Sequence, residues 1–255
     1  MKTNYHTHTT WCDGKNTPEE MALAAIEKGF DALGFSSHSD LLNDPQAYIA
    51  DIRALTEKFR GRLKIFCGIE AEAGYLPEGT TREDFDYIIA GIHYISAPDG
   101  ALCPVDMDPQ RVRTDLRQHF DGDIQAYILE YFAEERRMVQ RGGFDVLAHP
   151  DLVRKFRTHG FAFAERAAWF QRELRLTAEE IAKAGVIVEI NTGGIARKWL
   201  NDAYPSSLFR SLLTRKNVSY ILSSDAHSTE HLDCAFERFG TCENFLDAPK
   251  KNLAP

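Results

Sequence analysis

Seven short apolar segments alternate with helical segments along this chain of 255 residues, and that alternation restricts the possible folds more than any other feature. Strands that are apolar on both faces belong in a parallel sheet whose two faces are covered by helices. Six of the seven segments deliver a potential metal ligand at their carboxyl ends. Ligands from so many strands require a ring, because an open doubly wound sheet gathers its ligands at one switch point. The pattern therefore predicts a distorted (β/α)7 barrel with parallel strands and a site at their carboxyl ends.

The spacing of apolar residues sets the expected boundaries of the elements. One strand leads into His6 and His8, and the others are predicted at residues 32–35, 63–69, 87–92, 144–148, 186–190 and 218–222. Helices are predicted from residue 17, where Glu20 completes a capping box, from residue 108, and at 45–59, 124–139, 163–183 and 206–215. Residues 94–110 are predicted to be an irregular insertion over the site, and the chain after residue 227 to hold one helix and a polar tail. We expect a single domain spanning residues 1–255.

The potential ligands are histidines and carboxylates placed in register with the strand ends. His6 and His8 project side by side, because alternate residues of a strand share a face. A His-x-His pair alone carries little weight, whereas a series repeated from strand to strand carries far more. The full candidate set is His6, His8, Asp13, His38, Glu70, His93, His149, Asp225 and His227.

Nine such groups exceed the three protein ligands that one catalytic zinc ion takes. A carboxylate shared between ions would let them hold two or three. Imidazole and carboxylate ligands suit zinc, iron or manganese. Because neighbouring metal ions clamp a phosphoryl oxygen and activate water, hydrolysis is the reaction that this set favours.

Composition argues against several other classes of function. The formal net charge is −8 and no run of Lys and Arg is present, whereas a nucleic-acid surface requires a basic face. The sequence shows no signal segment and no apolar run long enough to cross a membrane. The five cysteines, which form no Cys-x-x-Cys pair, are expected to be reduced thiols of a cytoplasmic protein. They are Cys12, Cys67, Cys103, Cys234 and Cys242.

Seven motifs stand in an order that resembles the polymerase-and-histidinol-phosphatase (PHP) family, and most of all its stand-alone histidinol-phosphate phosphatases. They are YHTHTTWCDG at 5–14, SHSD at 37–40, GIE at 68–70, GIHY at 91–94, AHPD at 148–151, EINT at 189–192 and SDAH at 224–227. The resemblance covers nearly the whole chain. It implies a distorted seven-stranded barrel, in agreement with the pattern of strands, and a centre of three divalent metal ions (Zn, Mn or Fe).

The resemblance also distributes the ligands among the three ions. It implies one ion on His6, His8, Glu70 and Asp225, with Glu70 bridging to the next. A second ion would take Glu70, His93 and His149, and a third Asp13, His38 and His227. Catalytic roles are implied for Glu70, Asp225, His227 and Arg197.

The implied activity is hydrolysis of L-histidinol phosphate, a step of histidine biosynthesis, with a metal-bridging hydroxide as the nucleophile. Arg197 matches a position that grips the phosphate, which a guanidinium does bidentately. Arg154 and Lys155 are further candidates for the phosphate, Arg154 being the stronger, and Asp106 or Glu72 for a cationic part of the substrate. The alternatives are a PHP-type phosphatase of another small metabolite, such as a nucleotide or a phosphotyrosine, and a non-catalytic metal-binding module.

Overall fold

The computed structural model describes residues 1–161, 163–240 and 246–249. The strands in these ranges are β1 (Thr3–Asn4), β2 (Ala32–Phe35), β3 (Lys64–Glu72), β4 (Tyr87–Gly91), β5 (Tyr94–Ser96), β6 (Leu102–Pro104), β7 (Val146–Leu147), β8 (Ile187–Asn191) and β9 (Tyr220–Ser223). The α-helices are α1 (Pro18–Glu27), α2 (Pro45–Lys58), α3 (Pro109–His119), α4 (Ile124–Arg141), α5 (Ala168–Ala184), α6 (Gly193–Ala196) and α7 (Ser207–Thr214).

Seven of the strands form one parallel sheet in the order β1-β2-β3-β4-β7-β8-β9. The two edges of this sheet meet just beyond β1 and β9, where Thr7 and Ala226 form a parallel bridge. The amide of His8 donates to the Ala226 carbonyl at 2.8 Å, and the amide of Ala226 donates to the His6 carbonyl at 3.3 Å. The predicted distorted (β/α)7 barrel is thereby confirmed.

Buried side chains lie on both faces of the sheet, as expected for strands that are apolar throughout. In β4, Ile88 and Ala90 belong to the large core that includes the helices, whereas Tyr87 and Ile89 belong to a smaller cluster with Tyr5. Alternate residues of a strand point to opposite faces, so these clusters lie on the two sides of the sheet. Among the helices of the described ranges, none has both the length and the apolar character that crossing a bilayer requires.

The helix starts follow the predicted capping chemistry. The hydroxyl of Thr17 accepts from the Glu20 amide at 3.2 Å, and the Glu20 carboxylate accepts from the Thr17 amide at 2.8 Å. Asp108 caps α3 through the amides of Gln110 and Arg111. These predicted starts are confirmed.

Three predicted elements differ from the structure. The insertion is not irregular, because residues 94–104 form an antiparallel hairpin of β5 and β6 that leads into α3. Helix α5 begins at Ala168 and not at residue 163. Phe163 precedes the helix, and its ring packs against the ring of Phe170 with 4.9 Å between the centroids. After residue 227, the described residues contain two single-turn 3-10 helices, Thr229–His231 and Phe236–Arg238, instead of one longer helix. Ala235 lies between these turns and has a left-handed φ of 58°, which interrupts a helix there. Most of the predicted polar tail lies outside the described residues.

Candidate metal centre

All nine candidate ligands converge at the carboxyl ends of the parallel strands. Glu70, on β3, is 1% exposed and lies at the centre of the group. Its two carboxylate oxygens lie within 3.4 Å of ring nitrogens of His6, His8, His38, His93 and His149. One carboxylate is therefore shared by five imidazoles from four strand ends, since His6 and His8 both follow β1.

Two further carboxylates extend the cluster on either side of His227. Asp225 Oδ1 lies 3.3 Å from His8 Nε2 and 3.4 Å from His227 Nδ1. Asp13, in the loop before α1, lies 3.1 Å from His227 Nε2 and 3.8 Å from His38 Nε2. The cluster therefore runs without a break from Glu70 through Asp225 to Asp13.

The buried atoms of this cluster fit a cation. His6 Nε2, His8 Nε2 and Glu70 Oε2 are buried without a hydrogen-bond partner among the described residues. Leaving polar atoms unpaired in a buried site costs free energy. Imidazole nitrogens and carboxylate oxygens are the donors that zinc, iron and manganese accept, so bound metal ions would satisfy these atoms.

Four sets of donor atoms within the cluster, each spanning no more than 4.8 Å, are close enough to share an ion. They are His8, Asp13, His38 and His227; His6, His8 and Asp225; His6, Glu70 and His149; and His38, Glu70 and His93. The first set contains the three ligands expected for the third ion and adds His8. The structure brings all nine residues together, and the role of each ligand stays a prediction.

The charges of the cluster keep its carboxylates ionised. Burial alone would raise the pKa of Glu70, but the imidazoles of His6 and His38 hold this pKa well below its usual value. Burial likewise acts against ionisation of Asp225, whose pKa is nevertheless held low, mainly by the guanidinium of Arg197 and by His6. Anionic carboxylates are the form that binds a metal ion.

Two further carboxylates hold histidines of the cluster in position. Glu189, on β8, accepts from His6 Nδ1 at 2.9 Å and from the His149 amide at 2.7 Å. Glu72 lies 2.6 Å from His93 Nδ1. Such contacts fix the tautomer of a metal-binding histidine and leave Nε2 free to coordinate.

These contacts change two readings of the sequence. Glu72 was expected at the substrate, but it is bonded to the ring and amide of His93 and does not line the cavity. Glu189 received no predicted role, although it is the one charged residue in the otherwise apolar segment 186–190. A single carboxylate inside an apolar strand is the signal that could have identified it, because a buried charge requires partners.

The backbone is strained where it presents two of the candidate ligands. His149 has a φ of 24° and Asp225 a φ of 51°, both in the left-handed region that residues other than glycine rarely adopt. Two glycines make room for these side chains. A Cβ atom on Gly91 would lie 2.6 Å from His149 Cε1, and one on Gly193 would lie 2.9 Å from Asp225 Oδ2.

Arg197, which follows α6, reaches the centre as expected. Its guanidinium donates to both carboxylate oxygens of Asp225, at 3.2 and 3.1 Å, and lies 2.6 Å from His227 Nδ1. Burial acts to lower the pKa of Arg197, but the carboxylate of Asp225 raises it further, so the guanidinium stays protonated. A fixed cation therefore stands directly beside the metal-binding cluster.

A cavity of about 350 Å³ opens over the cluster and contains Arg197 and Lys155 in its wall. Lys155 Nζ donates to the carboxylate of Asp106 at 3.0 Å and to its carbonyl at 2.7 Å, so both of these predicted substrate residues lie at the cavity. Arg154 does not lie there, because its buried guanidinium pairs with Glu165 at 2.9 Å and with Asp151 at 3.5 Å. The expected order of Arg154 and Lys155 is therefore reversed.

A second cavity, of about 520 Å³, is larger but lies away from this chemistry. It opens beside β1 and β9, at Thr3 and Leu222, and none of the nine candidate ligands lines it. The site is therefore assigned to the smaller cavity.

Residues 4–193 match the model of the PHP domain. A probable histidinol-phosphatase of Deinococcus radiodurans is 27% identical over 87% of this chain and 85% of that relative. The histidinol-phosphatase of Bacillus subtilis is 24% identical over 94% of this chain and 98% of that relative. The DNA polymerase/3'-5' exonuclease PolX of Bacillus subtilis is 33% identical over 91% of this chain, which spans only 35% of PolX.

Two solved structures share the fold. The histidinol phosphate phosphatase of Lactococcus lactis, complexed with zinc, L-histidinol and phosphate, superposes with a TM-score of 0.67 at 20% identity, covering 89% of this chain and 87% of that one. A candidate histidinol phosphatase of Listeria monocytogenes superposes with a TM-score of 0.82 at 19% identity, covering 93% of this chain and 100% of that one. At such identities the likeness shows a common fold.

Proposed function

This chain belongs to the PHP domain family, and we propose that it is a metal-dependent phosphomonoesterase that hydrolyses L-histidinol phosphate to L-histidinol and phosphate. The observation that carries the proposal is Arg197, a fixed guanidinium in the wall of a cavity that opens onto the cluster of candidate metal ligands. Seven of the nine residues of this cluster line the cavity. The two histidinol-phosphatase relatives, which match over most of their length and most of this chain, support the choice of substrate. A scaffold that only bound metal would have no use for the phosphate-binding cation.

The cluster is proposed to hold three divalent ions, zinc, manganese or iron, with Glu70 shared between two of them. Bound there, the ions supply an activated water and neutralise charge on the phosphoryl oxygens. Arg197 would bind the phosphate of the substrate, since a guanidinium presents paired donors that match phosphate oxygens. Lys155 would provide a second cation at the cavity wall.

The proposed reaction belongs to histidine biosynthesis, and we place the enzyme in the cytoplasm as a single domain acting on a small phosphorylated metabolite. The four cysteines of the described residues, Cys12, Cys67, Cys103 and Cys234, are free thiols, which is consistent with a reducing compartment. Cys242 lies outside the described residues.

The test is phosphate release from L-histidinol phosphate by the manganese- or zinc-loaded protein, with AMP and an aryl phosphate measured in parallel. We expect a kcat/KM for L-histidinol phosphate far above the other two. Comparable slow rates on all three would retain a phosphatase and refute the substrate. Absence of turnover by protein with verified bound metal would refute the enzymatic function altogether.

A further inference from the structure

A second group of metal-binding side chains lies in the insertion, separate from the nine-residue cluster. Cys103, Asp115 and His119 each offer one donor atom, and these atoms lie within 4.8 Å of one another. Cys103 is on β6, and Asp115 and His119 are four residues apart on α3, where they share one face of the helix. The group therefore lies between the hairpin and the helix that follows it.

The burial of Asp115 is unusual for a carboxylate. Cys103 is fully buried and Asp115 is 2% exposed, although α3 is a polar helix whose only other buried residue is Val112. Among the described residues, Asp115 accepts side-chain hydrogen bonds from Arg111 Nε alone, at 2.9 and 2.8 Å. Each carboxylate oxygen has two lone pairs, so Asp115 keeps acceptor capacity that Arg111 does not fill.

His119 is held as metal-binding histidines commonly are. Its Nδ1 lies 2.8 Å from the carboxylate of Asp99, in the hairpin turn. A carboxylate on Nδ1 fixes the tautomer in which Nε2 carries the free lone pair. Cys103 Sγ has only a weak contact with the Ala101 carbonyl, at 3.9 Å.

We propose that Cys103, Asp115 and His119 bind one divalent cation of the zinc type, distinct from the ions of the catalytic centre. A thiolate, an imidazole and a carboxylate are zinc ligands, and a water molecule would complete a tetrahedron. The proposal is independent of which phosphate ester the enzyme hydrolyses.

Binding at this site requires loss of the thiol proton. Burial, and then the charge of Asp115, raise the pKa of Cys103 to about 11, so the metal-free side chain is a thiol. On binding, the S–H bond breaks, a metal–sulfur bond forms and the proton passes to solvent, without any change of oxidation state. The bound ion would tie the hairpin to α3 on both sides of Asp106 and Met107, which line the catalytic cavity.

The test uses the whole 255-residue chain loaded with cobalt(II). A thiolate bound to cobalt gives a charge-transfer absorption band that imidazole and carboxylate ligands do not give. We expect this band in the wild type and its loss in Cys103→Ser. Cys12→Ser is the matched control, since Cys12 lies 3.4 Å from His8 Nδ1 in the catalytic centre and should not contribute. Zinc content should fall by one ion per chain in Cys103→Ser and in His119→Asn, measured on samples with unchanged far-UV circular dichroism.

Four results would overturn the site. The band could be absent from the cobalt-loaded wild type, or it could persist in Cys103→Ser. It could also be lost in Cys12→Ser, which would place the thiolate in the catalytic centre. Equal zinc content in the wild type and a folded His119→Asn would overturn it as well, because His119 is partly exposed and its replacement leaves the buried thiol intact.

Discussion

Glu189→Gln tests whether a residue that touches no substrate controls metal binding. The carboxylate accepts from the His149 amide and from Asn191 Nδ2 through Oε1, each at 2.7 Å, and from His6 Nδ1 through Oε2 at 2.9 Å. In the glutamine variant the oxygen stays opposite the two amide donors, which places the NH2 group opposite His6. An NH2 group there favours the tautomer in which Nδ1 accepts and Nε2 carries the proton. Nε2 would then be unable to bind a metal ion.

The magnitude follows from the loss of this one contact. A hydrogen bond to a charged group contributes about 1.5–3 kcal/mol, and 1.4 kcal/mol corresponds to a factor of ten in an equilibrium constant. We therefore expect the affinity for at least one ion to fall by about 10- to 100-fold, which agrees with the usual effect of removing such a partner.

The assay is competition between the metal-free protein and a chromogenic chelator, which gives dissociation constants and stoichiometry without any measurement of turnover. Glu173→Gln is the control, because Glu173 is also a buried carboxylate but pairs with Arg136 at 2.8 Å, between α5 and α4. The thermal unfolding of both metal-free variants reports damage to the fold alone. Equal metal affinities in wild type and Glu189→Gln, or an equal loss in Glu173→Gln, would refute the positioning role.

Three further substitutions test other parts of the chain. Arg197→Ala should lower kcat/KM by orders of magnitude at unchanged metal content, and steady-state kinetics with metal analysis would contradict the phosphate contact if the rates stayed at wild-type values. Glu70→Gln should lower the number of ions bound per chain, and full stoichiometry with full activity would exclude a bridging carboxylate. Glu135→Gln should stabilise the protein, because burial raises the pKa of Glu135 from 4.5 to about 8. The unfolded chain releases this proton near pH 4.5, whereas the folded wild type keeps it until about pH 8, so the free energy of unfolding falls as the pH rises between these values. A glutamine has no proton to release, so the variant avoids this loss, which is roughly 3 kcal/mol at pH 7. The melting temperatures of the wild type and the variant should diverge as the pH rises through this range. If the two melting temperatures instead change in parallel with pH, folding does not raise the pKa of Glu135.

The sequence predicts the barrel and the metal-binding cluster well because both are determined by where the parallel strands begin and end. An apolar strand fixes where its last residue lies, and parallel strands bring these ends together, so His93 could be assigned from its place after residue 92. The side chains beyond the strands follow no such rule. Arg154 ends a single turn of 3-10 helix and Lys155 follows it directly. Only the packed structure decides that Lys155 faces the cavity while Arg154 is paired internally.

The residues that support the ligands were harder to predict for a related reason. Glu72 follows Glu70 at a spacing of two, so both point to one face of β3 and the sequence cannot say which touches a metal ion and which touches His93. The hairpin of β5 and β6 was also missed, since its strands are only three residues long and carry Pro104. Short strands that contain proline give no reliable periodic signal.

The closure of the barrel and the assembly of the metal centre use the same stretch of chain. β3 and β4 are joined by five register pairs, whereas the seam between the first and last strands is held by a bridge between Thr7 and Ala226. That bridge lies between His6 and His8 on one side and between Asp225 and His227 on the other. An ion bound to His6, His8 and Asp225 would therefore join the two edges of the sheet at this bridge. Because the metal-binding geometry exists only when the seam is closed, the free energy of metal binding adds to the stability of the closed barrel.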